Sequence, residues 1–322
     1  MITAHAEVIV VTPVYEDLEA SSRLFRELDA VFGTKLFILA VDDGSVRQPL
    51  PASVLEGLQA GGAIVKLRRN VGHQRAISIG LGLAAEHMTS SQLVVVMDSD
   101  GEDLPQTISE LLAALDDVQV DAAVAQRKSR VESLKFKAFY EVYKRVFSLM
   151  TGRAISFGNF MALRQAGVKR LAAMQETPIH VAAALLASKL RLRICSIARG
   201  PRYAGQSKMN FVGLALHGFR ALMVFAEDVL VRVGLLCAGV AALSVLGGLL
   251  AIVLKLAGFA TPGWFSVAFG ILVLTLLQTG TLALMMLMLT GVVRSGSVTT
   301  ALSYKEFVDR ILTPAGEISL DA

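Results

Sequence analysis

Cysteine is nearly absent. Cys195 and Cys237 lie in different segments, at a separation that suits neither metal ligation nor a disulfide framework, so both are read as structural. Charge is missing from most of the last third: the 22 residues from Val233 to Leu254, bracketed by Arg232 and Lys255, carry no charged side chain, and Leu256 to Val293 carry no ionisable one. That absence excludes an ordinary soluble domain, whose core helices rarely lack a polar face for so long. At about 1.5 Å rise per residue, 22 residues cross a hydrocarbon core of about 30 Å. Thr261-Pro262-Gly263 interrupts the second stretch, so two spans are expected, about 233–254 and 264–293, forming a hairpin. Met1 to Val11 has no basic leader and no long apolar run, which argues against a cleavable signal peptide. No basic motif interleaved with aromatics occurs, so no nucleic-acid partner is expected, and there is no internal repeat.

What remains is greasy and mildly basic: 322 residues, 54% hydrophobic, mean hydropathy +0.57, net charge +4. The basic residues cluster from Arg127 to Arg145, which suits an anionic membrane surface or a phosphate. Arg220 and Arg232 precede the hairpin, and Arg294, Lys305 and Arg310 follow it. By the positive-inside bias, the chain is an integral cell-membrane protein (of the inner membrane in a bacterium) with both termini cytoplasmic.

The first 125 residues alternate β-branched runs with helical patterns. Val8 to Thr12, Leu36 to Val41, Ala63 to Leu67, Leu93 to Met97 and Ala122 to Ala125 read as strands of an α/β, mostly parallel sheet covered on both faces. Phe139, Val142, Tyr143, Val146, Phe147 and Met150 then recur at helical spacing, on a helix that either packs on the sheet or lies in the membrane interface. A second amphipathic helix runs from Phe211 to Val231 and leads into the first span. The expected organisation is a cytoplasmic α/β domain over 1–210, an interfacial helix over 211–232, the hairpin over 233–293, and a tail over 294–322 forming a short helix and a frayed end.

Chemistry gathers where strands end. Asp98-Ser99-Asp100 closes the run Leu93 to Met97, and residues two apart on an extended chain point to one side, so Asp98 and Asp100, extended by Glu102, form a candidate site for a hard divalent cation. Ligands of open α/β sheets sit at that edge. Thr12-Pro13-Val14-Tyr15-Glu16-Asp17 and Asp42-Asp43-Gly44-Ser45 end the first two strands. Their carboxylates can bond ribose hydroxyls or a base N–H, Asp43 being the better candidate of its pair, and Tyr15 or Pro13 offers a face for a base. Arg68 to Arg75 leads into a helix whose N–H groups could hold phosphate; His73 there reads as a helix cap or a carbonyl partner sooner than a catalytic group.

In this order, Pro13-Val14-Tyr15-Glu16-Asp17, Asp42-Asp43-Gly44-Ser45, Asn70-Val71-Gly72-His73 and Asp98-Ser99-Asp100-Gly101-Glu102-Asp103 resemble the motifs of family-2 glycosyltransferases. The paired spans, Arg127-Lys128-Ser129-Arg130, Gly158-Asn159-Phe160 and Arg202-Tyr203-Ala204-Gly205-Gln206-Ser207-Lys208 resemble the polyprenyl-phosphate branch, the relatives of dolichyl-phosphate mannose synthase and bactoprenol glucosyltransferase. The resemblance implies a GT-A fold and inverting transfer of a sugar from a UDP- or GDP-sugar to a polyprenyl phosphate, with Mg2+ or Mn2+. It implies donor contacts at Pro13, Tyr15, Asp17, Asp43, Asn70, Gly72 and Asp98, metal ligands at Asp98, Asp100 and Glu102, and acceptor-phosphate contacts at Arg202, Ser207 and Lys208. Arg127, Arg130, Asp100 and Asn159 stand as catalytic candidates. Relatives usually have Asn-Glu at Glu16-Asp17, Gln at Glu102, and an Asp proposed as base where this chain has Asn159. A phosphate monoester, with a second pKa near about 6, is already anionic at neutral pH, so an orienting Asn159 favours a phosphate acceptor over a hydroxyl one. The lone Trp264, with no Gln-x-x-Arg-Trp motif, argues against processive synthesis. The partners expected are the donor, the lipid acceptor and membrane lipid, with the oligomeric state open to a homo-oligomer.

Overall fold

The computed structural model describes residues 5–127, 134–203, 211–259, 261–296 and 304–318. Its centre is a nine-stranded sheet in the order β7-β5-β6-β4-β1-β2-β3-β8-β9. The parallel part is β1 (Val8–Val14), β2 (Leu36–Asp42), β3 (Gly61–Leu67) and β4 (Leu93–Val96), with β1 pairing to β2 on one side and β4 on the other. Chain order reverses between β1 and β4, and such a switch point opens a crevice at the carboxyl ends of the strands.

Strand periodicity explains the two-sided core. Ile9, Val11, Leu39, Val41, Ala63 and Val65 face helices α2 (His73–His87), α5 (Gln165–Ala172) and α6 (Val181–Ala187); Val8, Val10, Leu36, Ile38, Ala40 and Ile64 face α1 (Leu18–Phe32) and α3 (Ile108–Ala114). All seven residues of β1 are buried. Each such aliphatic side chain contributes about 1.5–3 kcal/mol over its exposed state, which a strand of alternating polarity could not supply. In α1, Leu24, Phe25 and Leu28 meet that sheet face at helical spacing, and the helix ends at Gly33.

Four strands escape the sequence reading. β5 (Ala122–Arg127) was expected, but β6 (Met161–Arg164) inserts antiparallel between it and β4, and β7 (Leu192–Ile197) lies parallel on its other side. The tail corrects the expected helix: after a 3-10 turn at Tyr304–Phe307, β8 (Val308–Thr313) pairs antiparallel with β3 and β9 (Gly316–Ile318) pairs with β8. Val308 and Ile311, each 1% exposed, bury against the α2 side of the sheet, and β8 takes up the open hydrogen bonds of β3. The reason is tertiary: six residues cannot form a stable strand alone, and only a waiting edge makes them one.

The chain divides into two compact units. The first comprises Met1–Tyr140, Ile155–Val224 and Ala301–Ala322; the second comprises Glu141–Ala154 and Phe225–Thr300. The second unit holds two long helices, α8 (Ala226–Leu256) and α9 (Trp264–Gly296). The amphipathic helix expected over 211–231 is broken: α7 (Phe211–Met223) ends, Val224 and Phe225 turn, and α8 begins seven residues before the expected span. Glu227 and Asp228 occupy the first turn of α8, where carboxylates complement the helix dipole, so charge starts this helix rather than preceding it. The end of α4 (Leu134–Thr151) packs in this unit and not in either sheet-face cluster. Phe147, 1% exposed, meets Phe225 edge-on with ring centroids 5.8 Å apart, and Arg232 donates to the Leu149 carbonyl at 3.1 Å.

Candidate functional site

The crevice is assembled in the first unit from loops at the carboxyl ends of β1, β2, β3 and β4. The carboxylates after β1 and β2 are engaged by backbone. Asp42, 2% exposed, accepts the N–H groups of Ser45 and Leu50, each at 3.0 Å. Glu16 accepts from Val46 (2.8 Å), Arg47 (3.1 Å) and Gln48 (2.8 Å), and these bonds hold its carboxyl below the usual range. Asp43 accepts from Val71 (2.7 Å) and Gly72 (3.0 Å), stitching the β2 loop to the start of α2. Burial pushes its pKa up against those two bonds. Gly44 makes the stitch sterically feasible: its φ is +69°, and a Cβ there would stand 2.5 Å from the Arg69 carbonyl carbon.

Pro13, Val14, Tyr15, Asp43, Asn70, Gly72 and His73 line one open cleft of about 360 Å³. Five of the seven expected donor contacts therefore share one wall. Asp17 is not among them; it stands at the start of α1, where its main-chain carbonyl accepts from Ser21. A second cleft is lined by Asp98, Asp103, Gly158, Asn159, Phe160 and Arg199, among others.

His73 joins the two clefts. Its Nε2 lies 3.2 Å from Asp98 Oδ1 and 3.2 Å from the Asn159 side-chain amide, 86 residues away in sequence. Desolvation would lower its pKa, but Asp98, Asp100 and Asp43 overcome that and hold it above the usual 6.5. The helix-cap reading of His73 is thereby corrected: the residue is the first of α2, and its ring bonds across the crevice.

The Asp98–Asp103 turn departs from the extended geometry expected of it. β4 ends at Val96, Gly101 takes φ +85°, Asp103 accepts the Asp98 N–H at 3.1 Å, and Asp100 Oδ1 accepts the Glu102 N–H at 3.0 Å. A tight turn of this kind cancels the two-residue alternation expected of Asp98, Asp100 and Glu102, and brings arginines to Glu102. Glu102 forms ion pairs with Arg199 and Arg202, while Asp100 Oδ2 sits 2.7 Å from Arg202. Among the described residues, no three His, Cys, Asp or Glu side chains stand close enough together to hold a metal ion. An oxygen-only pair of carboxylates still fits a hard cation of the Mg2+ type, which takes one or two carboxylates and completes its shell with substrate phosphate and water.

The segment carrying the two arginines lies along this turn. Gly200 N–H donates to the Glu102 carbonyl and Tyr203 N–H to the Asp100 carbonyl, both at 2.9 Å. The Tyr203 ring covers Gly101, where a Cβ would come within 2.5 Å of it, and its hydroxyl donates to Glu27. Arg199 and Tyr203 were missed as site residues. Their sequence signal, Arg199-Gly200-Pro201-Arg202-Tyr203, is a short basic stretch whose carboxylate partners lie far earlier in the chain, at Glu102 for Arg199 and at Glu27 for Tyr203. Arg127 ends β5; Arg130, Ser207 and Lys208 lie outside the described residues.

Among curated protein sequences, none matches this chain. In structure it is similar to glucosyl-3-phosphoglycerate synthase from Mycobacterium tuberculosis, solved with Mn2+, UDP-glucose and phosphoglyceric acid, at 12% identity and a TM-score of 0.51 over 70% of this chain and 80% of that one. It is also similar to the mannosyltransferase PcManGT from Pyrobaculum calidifontis, solved with GDP-mannose and Mn2+, at 15% identity and a TM-score of 0.42 over 88% of each chain. The first likeness bears on fold alone and agrees with the GT-A-type sheet described above. The family model "Glycosyl transferase family 2" matches residues 9–170, half of the chain and the whole of the crevice up to Asn159, so this protein belongs to glycosyl transferase family 2.

Proposed function

We propose that this glycosyltransferase moves a monosaccharide from a UDP- or GDP-sugar to a polyprenyl phosphate, with inversion, at the cytoplasmic face of a membrane. The observation that carries the reading is Asn159 beside His73 and Asp98: in the second cleft, next to the His73 that lines the donor cleft, stands an amide, which can orient an acceptor but cannot deprotonate one. A phosphate oxygen that is already anionic asks only for orientation and charge compensation.

Pro13, Tyr15, Asp43, Asn70 and Gly72 would receive the nucleoside, and Asp98 and Asp100 would hold Mg2+ or Mn2+. Such an ion, when bound, supplies Lewis-acid neutralisation of the departing diphosphate. Arg199 and Arg202, now paired with Glu102 and Asp100, lie within reach of the same charge, and guanidinium suits bidentate phosphate contact. Lys208, Ser207, Arg127 and Arg130 complete the acceptor phosphate site by the motif resemblance.

Membrane residence is supported by α8 and by the apolar part of α9, Trp264–Val293, with mean window hydropathies of 2.4 and 2.0. Only 17% and 0% of those windows are buried, unlike the core helices of a soluble protein. Two spans return the chain to the side it left, so the flanks of a hairpin share one side. The basic flanks make that side cytoplasmic.

The His73–Asp98 pair favours a second reading, a hydroxyl acceptor with His73 as base. Labelled-sugar transfer from a panel of UDP- and GDP-sugars to undecaprenyl phosphate, with Mn2+ or EDTA, tests the first. A metal-dependent glycolipid supports it, whereas transfer confined to hydroxyl acceptors, lost about 10²–10⁴-fold in His73→Gln, establishes the second.

A further inference from the structure

Near the middle of the apolar part of α9 lies a polar side chain, Gln278, that has no partner among the described residues. Gln278 lies 14 residues from Trp264 and 15 from Val293, the ends of the apolar part of α9. At about 1.5 Å per residue that is about 21 Å from either end, beyond the reach of any glutamine towards an interface. The threonines of the same helix bond their own backbone: Thr275 to the Ile271 carbonyl (2.8 Å), Thr279 to Thr275 (2.6 Å), Thr281 to Leu277 (2.7 Å) and Thr290 to Met286 (2.8 Å). Gln278 is exposed, and its amide has no partner among the described residues. Nor does α8 cover it. The glycines of α8 approach α9 at Phe269, Leu272, Ala283 and Met286, a row at helical spacing, while Gln278 shares the other side with exposed Leu274 and Met285.

Resting on the reading of α9 as a membrane span, we propose that α9 is a homodimer contact in which the Gln278 amide bonds the same side chain of a second copy at the middle of the bilayer. An unpaired amide in hydrocarbon costs several kcal/mol, so a partner is favoured. The occupant follows from symmetry. A primary amide donates and accepts at once, and two copies inserted in the same orientation carry residue 278 at the same depth, so a two-fold axis along the membrane normal brings the amides together. A foreign helix would need its own polar group at that depth.

The test uses full-length protein in lipid vesicles, reading energy transfer between labelled copies as protein is diluted into lipid. Gln278→Leu is expected to weaken association about 3- to 30-fold, and Gln278→Asn to retain most of it. With Cys195 and Cys237 replaced by serine, Gln278→Cys is expected to cross-link to itself, and Leu287→Cys, nine residues on and half a turn round, is not. Alkaline carbonate extraction separates the two readings. Protein stripped from the vesicles overturns the span and this proposal with it; protein that stays while Gln278→Leu associates as tightly as wild type overturns the dimer contact alone.

Discussion

The carboxylates that follow β1 and β2 and those that follow β4 stand at one edge of one sheet, yet they are held by different partners. Glu16, Asp42 and Asp43 are bonded by backbone N–H groups of neighbouring loops. Asp98, Asp100 and Glu102 face His73, Arg202 and Arg199, with one backbone bond among them, from the Glu102 N–H to Asp100 Oδ1 inside the same turn. Backbone donors cannot leave without the loop coming apart, so the first group shapes the crevice. Side-chain cations can swing to a new anion while the loop stays put, so the second group is free to exchange partners when a cation and a diphosphate arrive. Acidity at a strand end is therefore two different things, and the donor that answers it tells which.

The comparison breaks most visibly at Asp100. Asp100→Ala should lower sugar transfer at least about 10³-fold, far beyond any loss of folded protein, while leaving membrane insertion unchanged. Near-normal transfer by the purified variant would remove Asp100 from the metal site. Asp42→Ala should do the reverse. It strands the Ser45 and Leu50 N–H groups, and the predicted loss is about 2–4 kcal/mol of stability, seen as a lowered melting temperature, with transfer per folded molecule little changed. A variant as stable as wild type would place Asp42 with the exchangeable group.

Glu102→Gln sharpens the contrast further. Since Glu102 pairs with two arginines, Arg199 and Arg202, the metal concentration giving half-maximal transfer should shift less than about 3-fold, against at least about 30-fold in Asp98→Asn. Equal shifts in a manganese titration would restore Glu102 as a ligand.

The smallest effect lies outside the crevice and serves as its control. Asp121 accepts from the Arg191 side chain and N–H group, and the guanidinium holds its pKa down to about 2. Depressed below the ordinary value of 3.8, it adds stability above pH 4 that is lost as pH falls towards 2. Asp121→Asn should flatten that stretch of the stability curve by about 1 kcal/mol, measured by denaturant titration, and leave transfer at neutral pH alone.

Much of this was legible because it rests on local chemistry. Strands β1 to β5 declared themselves as short β-branched runs, the two long helices as stretches without charge, and the crevice as carboxylates repeated at strand ends, since burial, hydrocarbon thickness and chain direction act residue by residue. Tertiary structure alone decided the rest. β8 exists because β3 offers an open edge; Glu102 faces Arg199 because a turn at Gly101 undoes strand alternation; His73 became the link between two clefts because Asn159, 86 residues on, folds beside it. Each depends on which distant group fills a geometry that the local sequence only leaves available, and a one-dimensional pattern holds no record of that choice.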